Sequence, residues 1–413
     1  MNSWPEVAVP VIADTFQRNS LFLTDTVTGN KQKVESKELY RMYVCGITPY
    51  DATHLGHAAT YLTFDLINRY LRFLGSEVRY VQNITDIDDP LLERANRDGV
   101  DWKDLAHQQI DLFRSDMVNL RVIPPAHYIG AVDAIPLVVD AIEKLQQRNS
   151  IYPVDSDLYF SVHKDANFGT RSHLTHNEML EIFSERGGDP QRLGKQNPLD
   201  CLVWMSQRPN EPGWDSPFSV GRPGWHIECT AIAIKYLQPS QSENTLIDIQ
   251  GGGSDLIFPH HEMCAAQAKV LSGKELSSHY IHAGMIGLDG EKMSKSKGNL
   301  VFVSSLVAAG RDPMAIRWAL LKNHYRTDRM WTEEQLLTAE VEINELKKML
   351  ASGKSAPTNV LIQGILNSLA DDLDTPKVLK MLNDWVLDSR TNQNSDDAEA
   401  LVTVLDAVLG LKF

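Results

Sequence analysis

Several features that would assign the chain to a class of protein are scarce in this sequence. Its 413 residues contain only four cysteines (Cys45, Cys201, Cys229 and Cys264), which are too few and too scattered for a disulfide framework. The first residues lack the basic segment and the apolar stretch of a secretory signal, and charges interrupt the apolar runs well short of a membrane span. We therefore expect a protein of the reducing cytoplasm that has no membrane partner.

Positive charge is also scarce. The chain carries 40 lysines and arginines against 54 aspartates and glutamates, and its formal net charge is −14. It has no dense stripe of basic residues and no interleaving of basic and aromatic residues of the kind that binds single strands. A nucleic-acid substrate such as tRNA is therefore not expected, although a local basic patch would be enough to bind one.

The residues that are present predict an α/β fold. Residues 40–47 are rich in β-forming side chains, residues 57–75 carry apolar side chains at helical intervals, and residues 77–84 again have the composition of a strand. Gly75 stands where a helix C-cap is expected. This strand-helix-strand unit predicts the beginning of a doubly wound parallel sheet of Rossmann type.

Four segments organise the chain. We predict the first half of a nucleotide-binding catalytic domain in residues 1–120, an inserted α+β region in 121–198, the second half of the catalytic domain in 199–330, and a C-terminal helical bundle in 331–413. Further elements are predicted within these segments: a helix over 131–148, strands over 157–160, 246–250 and 279–283, and helices over 333–350, 359–373, 376–385 and 396–409.

Two histidines lie at the turn from the first strand to the first helix. His54 and His57 are three residues apart, so both imidazoles are expected on the side where the helix exposes free backbone N–H groups. Such a helix end favours phosphate, and Gly56 lets a nucleotide approach closely because it has no side chain. Alone this pattern is weak, since two histidines near a helix start are as often ordinary surface residues.

A lysine-rich segment follows far downstream, at residues 292–299. Lys292 and Lys295 belong to the sequence Lys-Met-Ser-Lys-Ser-Lys-Gly-Asn, with Gly290 and Gly298 near its ends. Most such charge runs are solvated loops; the functional alternative is a mobile loop whose lysines neutralise charge as pyrophosphate departs. The two motifs in this order resemble the signature of class I aminoacyl-tRNA synthetases and related adenylate-forming enzymes.

Further motifs resemble the cysteinyl-tRNA synthetase family more specifically. They are Cys-Gly-Ile-Thr-Pro-Tyr-Asp at 45–51, Tyr-Val-Gln-Asn-Ile-Thr-Asp-Ile-Asp-Asp at 80–89, Gly-Arg-Pro-Gly-Trp-His-Ile-Glu-Cys at 221–229, Gly-Gly-Gly-Ser-Asp at 251–255 and His-His-Glu at 260–262. The resemblance covers residues 40–299 and continues more weakly into the C-terminal helices. It implies a class I synthetase core that activates cysteine as its adenylate with ATP and Mg²⁺. Charge on the phosphates would be stabilised by His54, His57, Lys292 and Lys295.

The resemblance also implies a single zinc ion that binds the substrate thiolate. By position its ligands are Cys45, Cys229 and His260, and sulfur with imidazole suits zinc while leaving an open position. Where the family has a carboxylate as fourth ligand, this chain has Cys264. Cys264 is either a fourth ligand or part of the wall, and we favour the wall because a closed site leaves no vacancy for substrate. His261 is interpreted as a structural or hydrogen-bonding neighbour.

The same resemblance implies which residues bind the adenylate. Trp225 would line the amino-acid pocket with its flat face against a small side chain. Gly253, Ser254 and Asp255 would support adenosine, with the carboxylate placed for the ribose hydroxyls. Further positions are expected to contact the adenylate: Cys45, Gly46, Ile47, Thr48, Thr60, Asn83, Ile84, Thr85 and Ile286.

Three places depart from the synthetase pattern. Ile47 and Pro49 stand where the synthetase usually has proline and valine, Pro90 stands where it usually has lysine, and Glu-Arg-Gly-Gly-Asp-Pro at 185–190 is not a synthetase hallmark. All three resemble the cysteine ligases of mycothiol biosynthesis, which join L-cysteine to the amine of glucosaminyl-inositol through the same adenylate. The chain after residue 298 is also long enough for one helical bundle only, without an anticodon-binding domain.

We therefore predict an ATP-dependent ligase that forms an amide bond between L-cysteine and glucosaminyl-inositol and that acts as a monomer. The alternative is a cysteinyl-tRNA synthetase that lacks an anticodon-binding domain. A third class, a synthetase-like regulator without catalysis, would show broken motifs. Both nucleotide motifs and the three expected metal ligands are intact here.

Overall fold

The computed structural model describes residues 1–50, 53–239, 243–293, 299–393 and 398–413, with the backbone alone at residue 292. In chain order the strands are β1 (Phe22–Thr24), β2 (Lys31–Lys33), β3 (Leu39–Val44), β4 (Glu77–Ile84), β5 (His127–Gly130), β6 (Ile151–Val154), β7 (Asp157–Phe160), β8 (Cys201–Ser206), β9 (Gly221–Pro223), β10 (Thr245–Gly253), β11 (Glu275–Ala283), β12 (Ile286–Leu288), β13 (Glu291–Lys292) and β14 (Arg329–Trp331). The α-helices are α1 (Leu55–Phe73), α2 (Asp89–Asp98), α3 (Trp102–Asn119), α4 (Ala131–Gln147), α5 (His176–Glu185), α6 (Trp225–Tyr236), α7 (Glu262–Ser272), α8 (Val303–Ala308), α9 (Pro313–Leu321), α10 (Glu333–Ala351), α11 (Asn359–Ala370), α12 (Thr375–Ser389) and α13 (Ala398–Leu409). None of the helices that it describes combines the length and the apolar content of a membrane span.

A five-stranded parallel sheet forms the centre of the fold, in the spatial order β11-β10-β3-β4-β5. Its three middle strands are almost wholly buried, as expected for a parallel sheet that is covered on both faces. The order reverses between β3 and β10, because the chain adds β4 and β5 on one side of β3 and later returns to the other side. In open α/β sheets, ligands bind at such a reversal, outside the carboxyl ends of the strands. The predicted doubly wound α/β core is therefore confirmed.

The elements with strong local patterns agree with the structure. The strands predicted over 77–84 and 157–160 coincide with β4 and β7, and the helix predicted over 57–75 corresponds to α1. The four predicted C-terminal helices correspond to α10, α11, α12 and α13. The sequence did not predict α2, because this helix buries only Leu91, Leu92 and Ala95 and is otherwise polar.

A four-stranded antiparallel sheet in the order β6-β7-β8-β9, together with α5, forms a second unit beside the parallel sheet. Its last two strands lie beyond residue 198, whereas β5 and its parallel pairing belong to the central sheet. Strand pairing therefore favours an inserted unit that runs from residue 151 to residue 223. The division of the chain at 121–198 stays a proposal.

A buried ion cluster ties α1 to the C-terminal helices. Asp65 on α1 accepts hydrogen bonds from Arg69 Nε at 2.8 Å and from the backbone N of Ile123 at 2.9 Å, and it pairs with Arg317 of α9. Arg317 Nε donates to the carbonyl oxygen of Leu409, at the end of α13, at 2.6 Å. The three charged side chains have 0% solvent exposure. The C-terminal helices are thus fixed to the helix that begins at the histidine pair.

Replacing Asp65 with alanine should lower the free energy of unfolding by about 3–5 kcal/mol, because two buried guanidinium groups lose their partner. Burial alone would raise the pKa of Asp65, but the charges of Arg69 and Arg317 outweigh it and hold the pKa below its ordinary value. The stabilisation is therefore present above the ordinary carboxyl pKa and is lost as the pH falls through the lowered one. Urea unfolding at several pH values measures both effects.

The matched control is Asp14→Ala, which removes an exposed ion pair between Asp14 and Arg18. This change should cost less than about 1 kcal/mol. Equal destabilisation by the two substitutions would show that the buried cluster does not hold the helices together.

Candidate active site

A cavity of about 930 Å³ lies at the carboxyl ends of β3 and β10. Its wall comprises the turn before α1, the end of β10, the start of α2, part of the inserted unit and the segment around β12 and β13. Small-molecule sites typically measure about 300–1,000 Å³. This cavity is therefore large enough for a nucleotide and a second substrate, and it lies at the reversal of strand order.

His54 is the N-cap residue of α1, and its ring stacks on that of His57. The ring centroids are 3.7 Å apart and the planes are inclined by 26°. His54 Nδ1 accepts hydrogen bonds from the backbone N of Gly56 at 3.1 Å and, more weakly, from that of His57 at 3.4 Å. The expectation of free N–H groups is therefore wrong for these two residues, because the side chain of His54 already binds both groups.

His57 is neutral in the folded protein. Burial lowers the pKa of its imidazole to about 4, and its shielded Nδ1 has no hydrogen-bond partner among the described residues. Leaving such an atom unpaired costs about 1–3 kcal/mol, so a ligand or water that pairs with it is favoured. The ring can therefore donate or accept a hydrogen bond in the cavity wall, but it does not supply positive charge there.

Cys45, Cys229 and His260 converge on one buried point. Cys45 follows β3, Cys229 lies on α6, and His260 lies in the irregular turn Ile257–His261 before α7. Their ligand atoms all lie within 4.8 Å of one another. Among the residues that the structure describes, they are the one group of three or more that could hold a metal ion in this way.

The surroundings shift the pKa values of the two thiols in opposite directions. The hydrogen bond from Cys45 and, against the effect of burial, the charge of His260 hold the pKa of Cys229 well below the thiol range. Burial raises the pKa of Cys45 well above that range. A metal ion stabilises both sulfurs as thiolates, since ligands bind in their deprotonated form. The donor set therefore fits a metal centre.

Cys264 lies beside this group without belonging to it. Its Sγ donates to the backbone oxygen of His226 at 3.3 Å and lies 3.8 Å from His260 Nε2. The Nδ1 atoms of His226 and His260 lie 2.9 Å apart, which orients the His260 ring through a hydrogen bond. The interpretation of Cys264 as part of the wall stays a prediction.

His261 supports the metal group from behind. Its Nε2 lies 3.3 Å from Cys45 Sγ and 3.1 Å from Gln250 Nε2, and its Nδ1 lies 2.7 Å from His282 Nε2. The interpretation of His261 as a hydrogen-bonding neighbour is therefore confirmed. The chain of contacts fixes the position of the Cys45 side chain relative to β10 and β11.

Comparison with known proteins identifies the family. A family model described as the class I (C) tRNA synthetase catalytic domain matches residues 31–341. The chain is 52% identical to the L-cysteine:1D-myo-inositol 2-amino-2-deoxy-alpha-D-glucopyranoside ligase of Kribbella flavida and 52% identical to that of Nakamurella multipartita, covering 100% of each chain in both cases. The chain belongs to this family of ligases.

The fold of this member of the ligase family is similar to that of a solved aminoacyl-tRNA synthetase. Methionyl-tRNA synthetase of Mycobacterium tuberculosis, in complex with methionyl-adenylate, aligns with a TM-score of 0.65 over 90% of both chains. The sequences are 17% identical. This similarity establishes the class I synthetase fold for the ligase chain.

Trp225, the first residue of α6, stacks on a metal-group residue. Its ring centroid lies 4.5 Å from that of His260, and the planes are inclined by 27°. Trp225 also lines the cavity. The indole therefore helps to orient the imidazole, and its predicted contact with a substrate side chain stays a prediction.

Most of the predicted adenylate-binding positions share the cavity wall with the histidine pair. Those that line it are Cys45, Gly46, Ile47, Thr48, Thr60, Trp225, Gly253 and Asp255. The remaining positions do not line the cavity formed by the described residues; they are Asn83, Ile84, Thr85, Ser254 and Ile286. Direct contact of these five with the adenylate stays a prediction.

Asn83 and Thr85 support the loop after Cys45 through hydrogen bonds, without lining the cavity themselves. Asn83 Oδ1 accepts a hydrogen bond from the backbone N of Gly46 at 2.8 Å, and its Nδ2 donates to Thr85 Oγ1 at 3.1 Å. A Cβ at Gly46 would lie 1.7 Å from the carbonyl oxygen of Asn83, so only glycine fits. These residues fix the loop that carries the cavity-lining residues after Cys45.

The lysine-rich segment is described only in part. Lys295 lies outside the described residues, and Lys292 is described by its backbone alone, within β13, which pairs with β12. Met293 lines the cavity, so the segment begins at its wall. The roles of Lys292 and Lys295 therefore stay predictions.

Sequence reasoning missed a charged part of the wall. Asp88, Asp89 and Glu93, at the start of α2, line the cavity together with Arg222 of β9. Burial raises the pKa of Asp88 to about 6. Position along the chain could have identified them: Asp88 caps the helix that follows the carboxyl end of β4, and ligands bind at that edge of the sheet.

Metal analysis of the purified protein tests the cluster. We expect one tightly bound divalent ion per chain, and we expect Cys229→Ser and His260→Gln to lose it, because each removes one of three donors. Cys201→Ser is the matched control, since Cys201 is also buried and free but lies outside the cluster. Full retention of the ion by Cys229→Ser would rule out the assigned ligand set.

Proposed function

We propose that the protein uses ATP to join L-cysteine to the amine of glucosaminyl-inositol through a cysteinyl adenylate, releasing AMP and pyrophosphate, a reaction of mycothiol biosynthesis. Full-length similarity to ligases of that name supports the overall reaction. One geometric observation carries the chemistry: Cys45 belongs both to the group that could hold a metal ion and to the cavity wall that contains the histidine pair. Recognition of a thiol and chemistry on a phosphate therefore share one cavity.

Zinc is the ion that we assign to Cys45, Cys229 and His260. Sulfur and imidazole donors suit zinc better than magnesium or calcium, and three protein ligands leave a position open. When bound, the ion supplies a soft Lewis acid that favours a thiolate over a hydroxyl group. Discrimination against serine would then arise from coordination, without an editing domain.

The first step activates cysteine. A carboxylate oxygen of cysteine attacks the α-phosphorus of ATP, a new P–O bond forms, and the bond to the bridging oxygen breaks so that pyrophosphate leaves. His54 binds backbone N–H groups through Nδ1, and burial keeps His57 neutral. Both rings therefore act as hydrogen-bond donors to phosphate oxygens. Lys292 and Lys295 are assigned the positive charge that the pair lacks.

The adenosine part is assigned to the end of β10. A Cβ at Gly253 would lie 2.6 Å from Asp255 Oδ1 and 3.8 Å from Thr60 Oγ1. The absence of a side chain at Gly253 therefore keeps open a space between a carboxylate and a hydroxyl group, which suits the ribose hydroxyls. Ser254 lies between Gly253, the last residue of β10, and Asp255 of the short 3-10 turn that follows, and it is assigned to the same platform.

The second step transfers the cysteinyl group. The unprotonated amine of the sugar attacks the carbonyl carbon of the mixed anhydride, a C–N bond forms, and the bond from that carbon to the phosphate oxygen breaks. AMP leaves with the electron pair, and the nitrogen loses its proton to a base or to water. No protein nucleophile is required, because the anhydride is already activated.

Three further assignments complete the proposal. Magnesium accompanies ATP, because phosphate oxygens and water are its preferred ligands. The four cysteines are free and buried, which suits a reducing compartment, and we assign the protein to the cytoplasm. We also propose that it acts as a monomer.

A product assay tests the function directly. Purified protein is given Mg-ATP and L-cysteine, with glucosaminyl-inositol or tRNA offered in parallel. We expect AMP release and a cysteinyl amide with the sugar alone, because a chain of net charge −14 disfavours a polyanion.

Two substitutions of substrate serve as controls: serine for cysteine, and a glucosyl-inositol that has a hydroxyl group in place of the amine. Neither should give an amide. Charging of tRNA without amide formation would instead support the alternative, a cysteinyl-tRNA synthetase that lacks an anticodon-binding domain.

A further inference from the structure

The cavity has a side that the first step does not use. The residues assigned to ATP and cysteine come from the ends of β3, β4 and β10, from α1 and α6, from the turn before α7 and from the segment around β12 and β13. The start of α2 and residues 183–192 of the inserted unit line the same cavity without any such role. The total volume of about 930 Å³ leaves room for a second substrate against this side. We call this surface, formed by residues 88–90, 93, 185–189 and 222, the acidic wall.

Carboxylates without partners dominate the acidic wall. Glu93 and Glu185 are exposed and lie on different elements, α2 and α5. Neither forms a hydrogen bond or an ion pair with any described residue. Asp88 lines the same cavity, is half-buried, and among the described residues accepts a hydrogen bond from the backbone N of Asp89 alone, at 2.9 Å. These oxygens can therefore accept hydrogen bonds from an ammonium group or from hydroxyl groups.

The arginines that line the same cavity do not form ion pairs with Glu93 or Glu185. Arg186 donates to the backbone oxygens of Asp255 and Phe258, and Arg192 Nη1 donates to Asp157 at 2.7 Å. Arg192 is therefore paired within the inserted unit, whereas Arg186 joins that unit to the turn after β10 and keeps its positive charge. The carboxylates of Glu93 and Glu185 keep their charge for the cavity.

Arg222 supplies an independent indication of a ligand. It lines the cavity, is 4% exposed, and pairs with Asp89 and, at 3.5 Å, with Glu211. Its Nε is nevertheless buried without any partner among the described residues. A buried donor of this kind costs free energy unless a ligand accepts from it. A hydroxyl group can do so, while its own hydrogen is donated to a neighbouring carboxylate.

The places where the sequence departs from the synthetase pattern lie on the same cavity. Ile47, Pro90 and residues 185–189 all line it, although they are far apart in the chain. Pro90 stands where lysine is usual in the synthetase, and it is exposed at the start of α2. The substitution removes a cation from a surface that already carries Asp88, Asp89 and Glu93. A cationic ligand would gain from that loss.

We propose that the acidic wall is the acceptor subsite, where Glu93 and Glu185 attract the ammonium group of an amino sugar, which loses a proton to a base or to water before it attacks, and where Arg222 with Asp88 binds its hydroxyl groups. This assignment rests on the proposed function, because it requires a polyhydroxylated amine as the second substrate. It also explains selectivity, since a phosphodiester chain would be repelled by the same carboxylates.

Steady-state kinetics with the full-length protein separates this subsite from the first step. For each variant, kcat and KM for glucosaminyl-inositol are measured with saturating ATP and cysteine, alongside cysteine-dependent exchange of pyrophosphate into ATP. We expect Glu93→Gln and Glu185→Gln to raise the acceptor KM roughly fivefold, and Pro90→Lys roughly tenfold, because each removes attraction for a cation or adds repulsion. The effect should shrink as salt is added.

Two controls isolate the charge. Glu181 lies on α5, one helical turn from Glu185; it is exposed and does not line the cavity. The acceptor KM of Glu181→Gln should therefore match that of the wild type. Pro90→Ala removes the ring without adding charge and should raise KM less than Pro90→Lys does. Supporting data are raised acceptor KM values with the exchange reaction retained.

Two results would overturn the subsite alone. One is an unchanged acceptor KM in Glu93→Gln, Glu185→Gln and Pro90→Lys. The other is loss of the exchange reaction in these variants, which would place the residues in cysteine activation or in the fold. A wild-type protein that exchanges pyrophosphate but leaves the amino sugar untouched would instead overturn the proposed function, and the subsite with it.

Discussion

The pairing of β3 with β10 at the point where the sheet reverses its order is extended by a backbone hydrogen bond from Cys45 N to the carbonyl oxygen of Gly251 at 3.0 Å. Both halves of the site depend on this junction. One strand leads into Cys45 and the histidine pair, and the other leads into the adenosine platform and then into His260. A Cβ at Gly251 would lie 2.2 Å from the ring of Phe64. Glycine therefore lets α1 pack closely enough to present both halves to one cavity.

The two sides of the cavity suit ligands of opposite charge. The side next to α1 presents the imidazole of His57, which burial keeps uncharged by lowering its pKa to about 4, and that of His54, whose Nδ1 accepts hydrogen bonds from backbone N–H groups. The acidic wall lines the same cavity with the carboxylates of Glu93 and Glu185, which have no hydrogen-bond or ion-pair partner among the described residues. Phosphate oxygens can accept hydrogen bonds on the first side without competing with the carboxylates, and an amine is attracted to the second.

Patterns that are local in the chain were predictable. Apolar periodicity predicted β4 and α1, because those segments bury one or both faces. The resemblance to cysteinyl-tRNA synthetases named Cys45, Cys229 and His260 as one ligand set, and their ligand atoms do lie within 4.8 Å of one another. The cap formed by His54 was not predictable, because it depends on the orientation of one side chain. The acidic wall was missed for a different reason: the position of Asp88 after β4 was a usable signal, but α2 and the inserted unit meet only through tertiary packing.

In the proposed mechanism, a metal ion held by Cys45, Cys229 and His260 recognises the sulfur of the substrate inside the cavity. Equilibrium binding of L-cysteine and L-serine to metal-loaded and metal-depleted protein tests it most directly. The metal-loaded protein should bind L-cysteine at least roughly 100-fold more tightly than L-serine. Removal of the metal should abolish this preference while ATP still binds. An undiminished preference for cysteine in the depleted protein would contradict the account, because selectivity would then reside in the shape of the pocket.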